Sequence, residues 1–461
     1  MQEVAFDFIV NSLNGKIIGQ SSPIIRQVVT DSRQNIENNS LFVALQGENF
    51  DGHLFVEEAF AKGASAALVS DIRIIDINGL NDKVLIVVED TLLALQSLAK
   101  SYRQLFNIPM VAITGSVGKT TTKELLYSCL SSTYNTLYSE GNYNNDIGVP
   151  LTLFNLDKSK EIGIIEVAMR GRGEISRLVD MIRPVCAIIT NVELVHLESL
   201  ASIENIAKAK CEVLEYLRAE DFALINGDQA LLVDTASAYP TCLYTFGFKD
   251  NCDCQVINVI SHNTGMRLYL KVFKEDFVID FPIPVPKLAL NILAAISMAH
   301  LLGVPMPKII KQIESYEPTS NRLHINNLPT GGIVINDTYN ANPVSMAAAL
   351  EATRFLKGNK QSVAVLGDML ELGSYEEKGH LAVGHSVVAN DIDILLTIGN
   401  RAKDIAVAAS EAGMDKTNIH HFNDKTECLN FLRHRLSKTE IVLFKASRGL
   451  RLETLIDDWL D

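Results

Sequence analysis

The chain has 461 residues, too many for a single hydrophobic core, and this length favours about three domains. Its formal net charge of −14 argues against a general nucleic-acid-binding protein and against a protein held at anionic membranes, because both need a basic face. The seven scattered cysteines favour free thiols, the acidic N-terminal segment does not resemble a signal peptide, and no stretch of about 18 apolar residues occurs. We therefore expect a cytoplasmic enzyme that does not insert into membranes.

Residues 1–106 are the first predicted domain, a small α/β unit. Three short strands are predicted, at 28–33, 41–45 and 65–70. The segment 56–62 predicts a helix that ends at Gly63, and a polar loop occupies 46–53. The polar residues that could hold a ligand are Asp31, Ser32, Arg33, Asp51 and His53. Taken alone, residues of these types serve more often in turns and caps.

Residues 107–315 are the second predicted domain, in which strands and helices alternate. Buried strands are predicted at 110–113, 162–169, 184–192 and 221–227. This alternation is typical of a doubly wound parallel sheet, in which ligands lie beyond the carboxyl ends of the strands. Glu166, Asn191 and His196 each fall at or just after such an end. We expect these three side chains to lie near the phosphate-binding loop that the next segment predicts.

The segment PMVAITGSVGKTTTKE, residues 109–124, predicts a phosphate-binding loop between a strand and a helix. Glycines 115 and 118 allow a tight turn that brings backbone N–H groups to phosphate oxygens at the helix N-terminus. Lys119 would neutralise the β- and γ-phosphates, and the hydroxyl of Thr120 would bind Mg²⁺. A glycine-rich turn without nucleotide is the alternative. The expected nucleotide contacts are Gly115, Ser116, Val117, Gly118, Lys119, Thr120 and Thr121.

Residues 241–285 alternate in polarity and predict antiparallel hairpins appended to the second domain, which a helix ending at Gly303 completes. Residues 316–461 are the third predicted domain, a Rossmann-like α/β unit. Its strands are predicted at 332–337, 362–368, 394–399 and 440–447.

Two features of the second domain predict a polar site, and each has a structural alternative. The segment 141–150, GNYNNDIGVP, is too polar for a core without ligands or internal hydrogen bonds, although it could be a turn-rich linker. Glu166 ends an apolar strand, where a carboxylate needs a cation. A metal ion could supply that charge, and so could a salt bridge to Arg170 or Arg172.

Two further features leave the same choice open. His196 follows a strand and could bind a metal, although a lone histidine is more often structural. Lys208 and Lys210 lie in a helical segment, where lysines usually form a solvated face.

Taken together, these motifs identify the chain as a member of the Mur ligase family over nearly its whole length. The segments that carry the resemblance are DSR, GENFDGH, TGSVGKTTTKE, GNYNNDIGVPLTL, EVAMRGRGEI, ITNVELVHLE, AKAKCEV, NDTYNANPVSM, LGDMLELGSYEEKGH and KASRGLRLE. YNANP and LGDMLELG resemble the family member that adds D-alanyl-D-alanine, and the DNPR signature of the diaminopimelate-adding member is missing.

The resemblance implies an ATP-dependent amide ligase that joins D-alanyl-D-alanine to UDP-N-acetylmuramoyl-tripeptide through an acyl phosphate, in peptidoglycan synthesis. The first domain would hold the UDP-sugar, the second ATP, and the third the dipeptide, with further ATP contacts. A monomer is the family default. The sequence leaves open whether the third peptide residue is lysine or diaminopimelate. It also leaves open which group is the base for the incoming amine.

The resemblance also implies roles for individual residues. Two Mg²⁺ ions would be held by Thr120, Glu166, His196 and a carbamate on Lys210, which occupies the AK-x-E position where Lys208 does not. The implied catalytic residues are Lys119, Glu166, His196 and Lys210. Further nucleotide contacts would be Asn291, Arg322 and Asp337. The implied substrate-binding residues are Ser32, Arg33, Gly47, Asp51, His53, Asn142, Asn144, Asn145, Arg170, Tyr339, Asn340 and Asn342.

The sequence departs from the family pattern at several positions. Glu193 stands where glycine is usual, Ala446 replaces the glycine of KGSRG, and Lys287 replaces a histidine before the adenine-binding helix. Glu193 places an extra carboxylate near the expected metal ions. Two alternatives therefore remain: a folylpolyglutamate-type ligase, which should lack GENFDGH and YNANP, and a non-catalytic nucleotide-binding relative.

Overall fold

The computed structural model describes residues 1–47, 50–76, 82–193, 200, 202–262, 264–318, 321–370 and 372–461. The chain divides into two compact units, one formed by 1–194 with 202–245 and the other by 195–201 with 246–461. Each unit is described by itself below. Strands alternate with helices in both, so the predicted α/β class is confirmed, whereas the boundaries given above for the predicted domains stay a prediction.

The first unit begins with a five-stranded sheet in the order β1-β5-β4-β3-β2. Its strands are β1 (Lys16–Ile18), β2 (Gln27–Val29), β3 (Ser40–Val43), β4 (Ala64–Val69) and β5 (Val84–Val87). Strands β2 to β5 pair in parallel, and β1 is antiparallel to β5. The helices are Phe6–Asn11 and Val56–Lys62, and the second ends at Gly63, whose φ is 128°. The three predicted strands are thus confirmed, the first two in shorter form and the third shifted by one residue.

The same unit carries a second set of strands, in the order β11-β10-β9-β6-β8-β7. These strands are β6 (Met110–Thr114), β7 (Thr136–Tyr138), β8 (Ile162–Glu166), β9 (Cys186–Ile189), β10 (Phe222–Asn226) and β11 (Cys242–Gly247). The pairings from β10 through β9, β6 and β8 to β7 are parallel. The helices are Lys119–Ser131, Gly148–Leu153, Glu174–Ile182, Ile203–Cys211 and Ala230–Ala236. The predicted doubly wound sheet is therefore present, with its carboxyl ends at Thr114, Glu166 and Ile189.

The helix Thr91–Arg103 connects β5 to β6 and packs against helices that flank the second set of strands. It contacts the helices Gly148–Leu153 and Glu174–Ile182. The hydroxyl of Tyr102 donates to the carbonyl of Leu156 at 2.6 Å, and Nε of Arg103 donates to the carbonyl of Ile182 at 2.9 Å. Burial raises the pKa of Tyr102 to about 12, so this hydroxyl stays a donor at any physiological pH.

The second unit begins with strands β12 (Cys254–His262), β13 (Gly265–Val272) and β14 (Glu275–Phe281), which pair antiparallel in that order. The predicted hairpins are confirmed there, but β11 was wrongly included, because Phe246 pairs with Cys254 in parallel. An alternating pattern marks a half-exposed strand without fixing the direction of its neighbour, which explains the error. Helices Ala289–Leu301 and Met306–Glu314 follow.

The last sheet of this unit has six strands in the order β15-β16-β20-β17-β18-β19. They are β15 (His324–Asn327), β16 (Ile333–Asn336), β17 (Ser362–Gly367), β18 (Ile394–Ile398), β19 (Ile419–Phe422) and β20 (Ile441–Lys445). The helices are Pro343–Lys357, Glu376–Ala389, Ala402–Glu411, Lys425–Arg435 and Glu453–Leu460. Only β15 is antiparallel to its neighbour. Within the described ranges, no helix combines the length and apolar character that crossing a bilayer requires.

Candidate active site

The predicted phosphate loop lies between a fully buried strand and a helix. β6 is buried at every residue, and the helix Lys119–Ser131 begins directly after Gly118. Gly118 has a φ of 82° and Gly115 a φ of 146°, values that L side chains rarely adopt. A Cβ on Gly115 would lie 1.9 Å from Oγ1 of Thr190. The turn therefore needs glycine, and it directs backbone N–H groups and the positive end of the helix dipole to one place.

The segment that follows β9 holds the loop in this shape. The N–H of Ser116 donates to the carbonyl of Asn191 at 3.0 Å, and the N–H of Val117 donates to Oδ1 of Asn191 at 2.9 Å. The Val117 carbonyl accepts from Nδ2 of Asn191 at 3.0 Å and from Oγ1 of Thr190 at 2.6 Å. Asn191 was predicted to lie near the loop, which is confirmed, and its side chain serves to fix the loop backbone.

Gly115→Ala tests this packing. We expect the substitution to displace Thr190 from the Val117 carbonyl, to destabilise the protein by about 1–3 kcal/mol, and to weaken nucleotide binding about tenfold or more. Calorimetric titration with ADP, together with denaturant unfolding, measures both effects. Gly413→Ala is the matched control, since its φ is 104° but no atom lies within 4 Å of the added Cβ. Equal losses of ADP affinity in both variants would contradict the packing argument.

Lys119 closes over the loop. Its Nζ donates to the carbonyl of Gly115 at 2.9 Å and to that of Ser116 at 3.3 Å. Thr120 and Thr121, which follow it in the first turn of the helix, are partly exposed. The predicted lysine is thus at the loop, with its ammonium group directed to the same side as the glycine turn.

Glu166 ends β8, whose pairing with β6 sets it beside Ile113. It is only 1% exposed, its Oε1 accepts from Nδ2 of Asn144 at 2.8 Å, and its Oε2 lies 3.5 Å from Nζ of Lys123. Oε2 has no hydrogen-bond partner among the described residues. The alternative of a salt bridge to Arg170 or Arg172 was wrong, because both arginines are exposed and the cation beside the carboxylate is Lys123.

Opposing effects set the protonation state of Glu166. Burial alone would raise its pKa, but the positive charges of Lys123 and Lys119 and the polar groups of Asn144 and Thr120 outweigh burial and lower the pKa. Glu166 is therefore a carboxylate at neutral pH, with Oε1 held by Asn144 and Oε2 facing the ammonium of Lys123 without a hydrogen bond.

Lys123 is the functional residue that the sequence analysis missed. Its side chain is fully buried, and Nζ donates to the carbonyl of Gly141 at 3.0 Å while facing Glu166. The signal was available, because Lys123 lies four residues after Lys119 and thus on the same helix face. It links the carboxylate to the polar loop.

That polar loop is folded by its own asparagines. The Asn144 carbonyl accepts from the N–H of Ala168 at 2.9 Å while its amide holds Glu166. Oδ1 of Asn145 accepts from the N–H of Gly148 at 2.8 Å and so caps the helix Gly148–Leu153. Asn142 is exposed, and its carbonyl accepts from the N–H of Asn144. These hydrogen bonds give the loop a defined conformation and join it to Glu166. A turn-rich linker would not need such contacts.

The structure separates the two candidate lysines of helix Ile203–Cys211. Lys208 is exposed, as the solvated-face alternative expects, but Lys210 is 1% exposed. The pKa of Lys210 lies well below the ordinary lysine value, first because burial penalises the ammonium and then because of the positive charge of Lys119, while Glu212 and Glu166 oppose the shift. Lys210 therefore favours the neutral amine.

Glu212 fixes the helix that follows the EVAMRGRGEI segment. Its Oε1 accepts from the N–H of Gly173 at 2.7 Å and its Oε2 from the N–H of Ser176 at 3.3 Å, at the start of helix Glu174–Ile182. Arg170 donates its own N–H to Oε2 of Glu174 at 2.8 Å, and its side chain is exposed. These bonds place Arg170 at the surface beside the carboxyl end of β8.

The described residues fit a nucleotide and a divalent cation. A buried carboxylate oxygen of Glu166 lacks a hydrogen bond, and the lysines 119 and 123 supply positive charge beside it. In the part of the chain that the structure describes, no three His, Cys, Asp or Glu side chains are placed together so that they could hold a metal ion. His196 lies outside the described residues. Glu193 is exposed, and its backbone N–H donates to Oγ of Ser116 at 2.9 Å.

The candidate sugar-site residues follow strands of the first sheet. The backbone N–H of Arg33 donates to Oδ1 of Asp31 at 2.9 Å and its Nη2 donates to Oδ2 at 2.7 Å. Hydrogen bonds from this guanidinium and backbone lower the pKa of Asp31 to about 2. Arg33 itself is 87% exposed, whereas Ser32 is buried. Gly47 is exposed and its N–H donates to the carbonyl of Phe50.

Hydrogen-bond partners lie at both ring nitrogens of His53. Its ring is buried, Nε2 accepts from the N–H of Ser70 at 2.9 Å, and Nδ1 lies 2.6 Å from Oδ1 of Asp51. Because Nε2 accepts, Nδ1 carries the proton and donates to Asp51. Asp51 also accepts from the N–H of His53 as a helix cap, so both residues satisfy the cap interpretation that the sequence left open.

The second unit gathers candidate residues at the carboxyl ends of β16 and β20. Arg322 stacks 3.9 Å above the ring of Tyr339, and Lys445 donates to Oδ2 of Asp337 at 2.5 Å and to the carbonyl of Asn340 at 2.9 Å. Asn342 forms a capping box with Ser345 at the start of helix Pro343–Lys357.

Two other candidates of this unit lie on or before the helix Ala289–Leu301. Asn291 is partly exposed in its first turn. Lys287 precedes the helix, with Nζ 3.7 Å from Oε2 of Glu351.

Comparisons with known proteins agree with these features. Residues 24–103 match the description Mur ligase family, catalytic domain, residues 113–299 match the Mur ligase middle domain, and residues 321–448 match the Mur ligase, glutamate ligase domain. The UDP-N-acetylmuramoyl-tripeptide–D-alanyl-D-alanine ligase of Bacillus subtilis is 36% identical over 95% of this chain and 94% of its own length. The ligase of the same name from Escherichia coli is 33% identical over 99% and 98%.

Solved structures extend the likeness to the fold. A crystal structure of MurF from Acinetobacter baumannii has a TM-score of 0.87 at 29% identity, covering 100% of this chain and 99% of that one. MurF from Thermotoga maritima in complex with ADP has a TM-score of 0.79 at 27% identity, covering 94% and 97%. The three-domain α/β fold expected from the sequence is thereby confirmed. Sequence and structure together show that the chain belongs to the Mur ligase family.

Proposed function

We propose that this chain is the ATP-dependent ligase that joins D-alanyl-D-alanine to UDP-N-acetylmuramoyl-tripeptide and so forms the muramoyl pentapeptide precursor of peptidoglycan. The observation that carries the proposal is the glycine turn closed by Lys119, with the buried Glu166 carboxylate at the end of the neighbouring strand, held by Asn144 and facing Lys123. The names of full-length relatives supply the substrates. The free cysteines found throughout the described residues support a cytoplasmic location.

The reaction requires activation of a carboxylate, whose oxide is too poor a leaving group for an amine to displace. Transfer of the γ-phosphoryl group of ATP to the tripeptide carboxylate gives an acyl phosphate, and attack by the neutral amine of the dipeptide then expels phosphate. Lys119 and the N–H groups of the loop would bind the phosphates and hold them in line with the carboxylate. The protein contributes position and charge, since the carboxylate itself is the nucleophile.

The cation site is proposed from the residues that fit it. Mg²⁺, when bound, neutralises charge that develops on the transferred phosphoryl group. Glu166 and the hydroxyl of Thr120 would hold one ion, and His196 with Glu166 would hold a second, to which the carbamate of Lys210 could also bind. Lys123 and Asn144 would keep the Glu166 carboxylate oriented throughout.

Lys210 is proposed to carry the carbamate. Carbamylation forms an N–C bond between the neutral amine and CO₂ and releases one proton, so it needs an amine that is not protonated. The lowered pKa of Lys210 supports this requirement. The product is an anion, which suits oxygen ligation of Mg²⁺.

The substrate residues are proposals of the same kind. Arg33 offers an exposed guanidinium for the diphosphate of the UDP-sugar, and Arg170 offers another cation at the carboxyl edge of β8. Tyr339, Asn340 and Asn342 would bind the dipeptide. The further nucleotide contacts proposed are Asn291, Arg322 and Asp337.

Phosphate release by the purified protein tests the function. The assay contains ATP, Mg²⁺ and UDP-N-acetylmuramoyl-tripeptide, with D-alanyl-D-alanine present or absent, and mass spectrometry identifies the product. We expect release that needs the dipeptide, together with a pentapeptide product. Parallel assays with lysine and with diaminopimelate at the third position identify the tripeptide used, and light scattering tests the expected monomer. ATP binding without dipeptide-dependent release from either tripeptide would rule out the ligase and favour a non-catalytic relative.

A further inference from the structure

The ammonium group of Lys445 lies inside a turn formed by residues 337–340. Lys445 is the last residue of β20 and is only 2% exposed. Its Nζ donates to Oδ2 of Asp337 at 2.5 Å, to the carbonyl of Asn340 at 2.9 Å and to the carbonyl of Asp337 at 3.5 Å. An ammonium has three N–H donors, and these acceptors use all of them.

The sheet brings the turn to Lys445. β16 pairs in parallel with β20, and the N–H of Asp337 continues the ladder by donating to the Phe444 carbonyl at 3.0 Å. Oδ1 of Asp337 accepts from the N–H of Leu323 at 3.1 Å. The N–H of Tyr339 donates to the carbonyl of Asn321 at 2.9 Å. The turn is therefore closed around one side chain, with its outer bonds made to the segment before β15.

Stability alone is a weak reason for this arrangement. Burial lowers the pKa of Lys445, the negative charge of Asp337 opposes this shift, and Arg322 adds a like charge. A buried ion pair often contributes no more to stability than an apolar pair of similar volume. Lys445 binds one carboxylate and one backbone carbonyl of the same turn and so fixes the turn's shape, which an apolar side chain could not do.

We propose that Lys445 is a positioning residue for the ligation, in that its ammonium sets the 337–340 turn and thereby both the carboxylate of Asp337 and the backbone of Asn340. The inference rests on the proposed function, which assigns Asp337 to the nucleotide and Asn340 to the dipeptide. One buried cation then governs the placement of residues for two substrates. Lys445 itself touches neither.

Steady-state kinetics of Lys445→Met test this role. Methionine keeps most of the volume but provides no N–H, so we expect kcat/KM to fall by about 10²-fold for ATP and for D-alanyl-D-alanine alike, as misplacement of binding groups predicts. Val442→Ala is the matched control, because it lies in the core on the same strand and loses stability without touching the turn. If Lys445 had only a structural role, Lys445→Met and Val442→Ala would lose equal kcat/KM when their melting temperatures are equal. That result would overturn the proposal.

If the Lys445→Met variant does not fold, Lys445→Arg provides the test. Arginine keeps the charge, but its planar fork cannot place three donors as an ammonium does. We expect kcat/KM to fall for both substrates, by less than in Lys445→Met, and wild-type values for both would overturn the proposal. The wild-type protein in the same assay separates the proposed function from the proposed role of Lys445. If the wild type shows no dipeptide-dependent phosphate release, the proposed function is contradicted and not the role of Lys445.

Discussion

Glu166→Gln is expected to lower the rate of dipeptide-dependent phosphate release by about 10²–10³-fold. The amide keeps the shape of the side chain, and its oxygen can still accept from Asn144. It offers no negative charge at the position of Oε2, which is the buried oxygen without a hydrogen bond. The phosphate assay at saturating substrates measures the loss, and calorimetric titration with ADP at several Mg²⁺ concentrations shows whether cation-dependent binding is lost with it.

The same substitution is expected to cost stability, because it leaves Lys123 fully buried without its counter-ion. Removing one partner of a buried pair destabilises a protein by about 3–5 kcal/mol. The double variant Lys123→Met with Glu166→Gln removes both charges and should recover most of this free energy of unfolding. It should not recover activity. Wild-type turnover by the double variant would show that Glu166 serves only as a structural counter-ion to Lys123.

Lys210→Met is expected to lower activity by a similar factor, about 10²–10³-fold, because methionine cannot form a carbamate. Lys208→Met is the matched control, since Lys208 is exposed on the same helix and its substitution should change the rate less than about twofold. Mass spectrometry of the native wild-type protein in bicarbonate buffer should show the added mass of one CO₂. Wild-type turnover by Lys210→Met would contradict the carbamate.

The pH dependence of stability gives a second test of Lys210. Its pKa is lowered on folding, so the unfolded chain binds more protons between that lowered pKa and the ordinary value of about 10.5. In CO₂-free buffer the wild-type protein should therefore gain stability as the pH rises through this window. Lys210→Met should be more stable than the wild type at neutral pH, and the difference should vanish above about pH 10.5. Parallel stability profiles of the two proteins would contradict a neutral buried amine.

The elements that the sequence predicts well are those whose apolar residues run without interruption. β6 and β8 are buried at every residue, and both were predicted, because a strand covered on two faces has a continuous apolar pattern. β12 lies within the predicted hairpin region but received no bounds of its own, since it exposes Ile257 and Ile260 and its pairing shifts register between Val256 and Asn258. Periodicity does not indicate such an irregular strand.

The site was predicted through motifs more than through chemistry. The glycines and Lys119 follow a recognisable pattern, and Glu166 stands out as a charge at the end of an apolar strand. Lys210 could be told from Lys208 only by resemblance, because helical periodicity does not say which face is covered by a neighbouring element. Lys123 could have been noticed from its place four residues after Lys119 on the same helix face, whereas Lys445 carries no such signal. Their importance depends on carbonyl groups that lie far away along the chain, at Gly141 and Asn340.

The helix Thr91–Arg103 constrains how this protein can be dissected. Leu95, Leu98 and Tyr102 are buried on it, and its hydrogen bonds end on Leu156 and Ile182. Excising a nucleotide-binding fragment that starts at residue 107 would leave those carbonyls unpaired and expose the apolar surface that the helix covers. A fragment meant to fold autonomously has to begin before Thr91, and domain exchange with a related ligase has to carry this helix together with the phosphate loop.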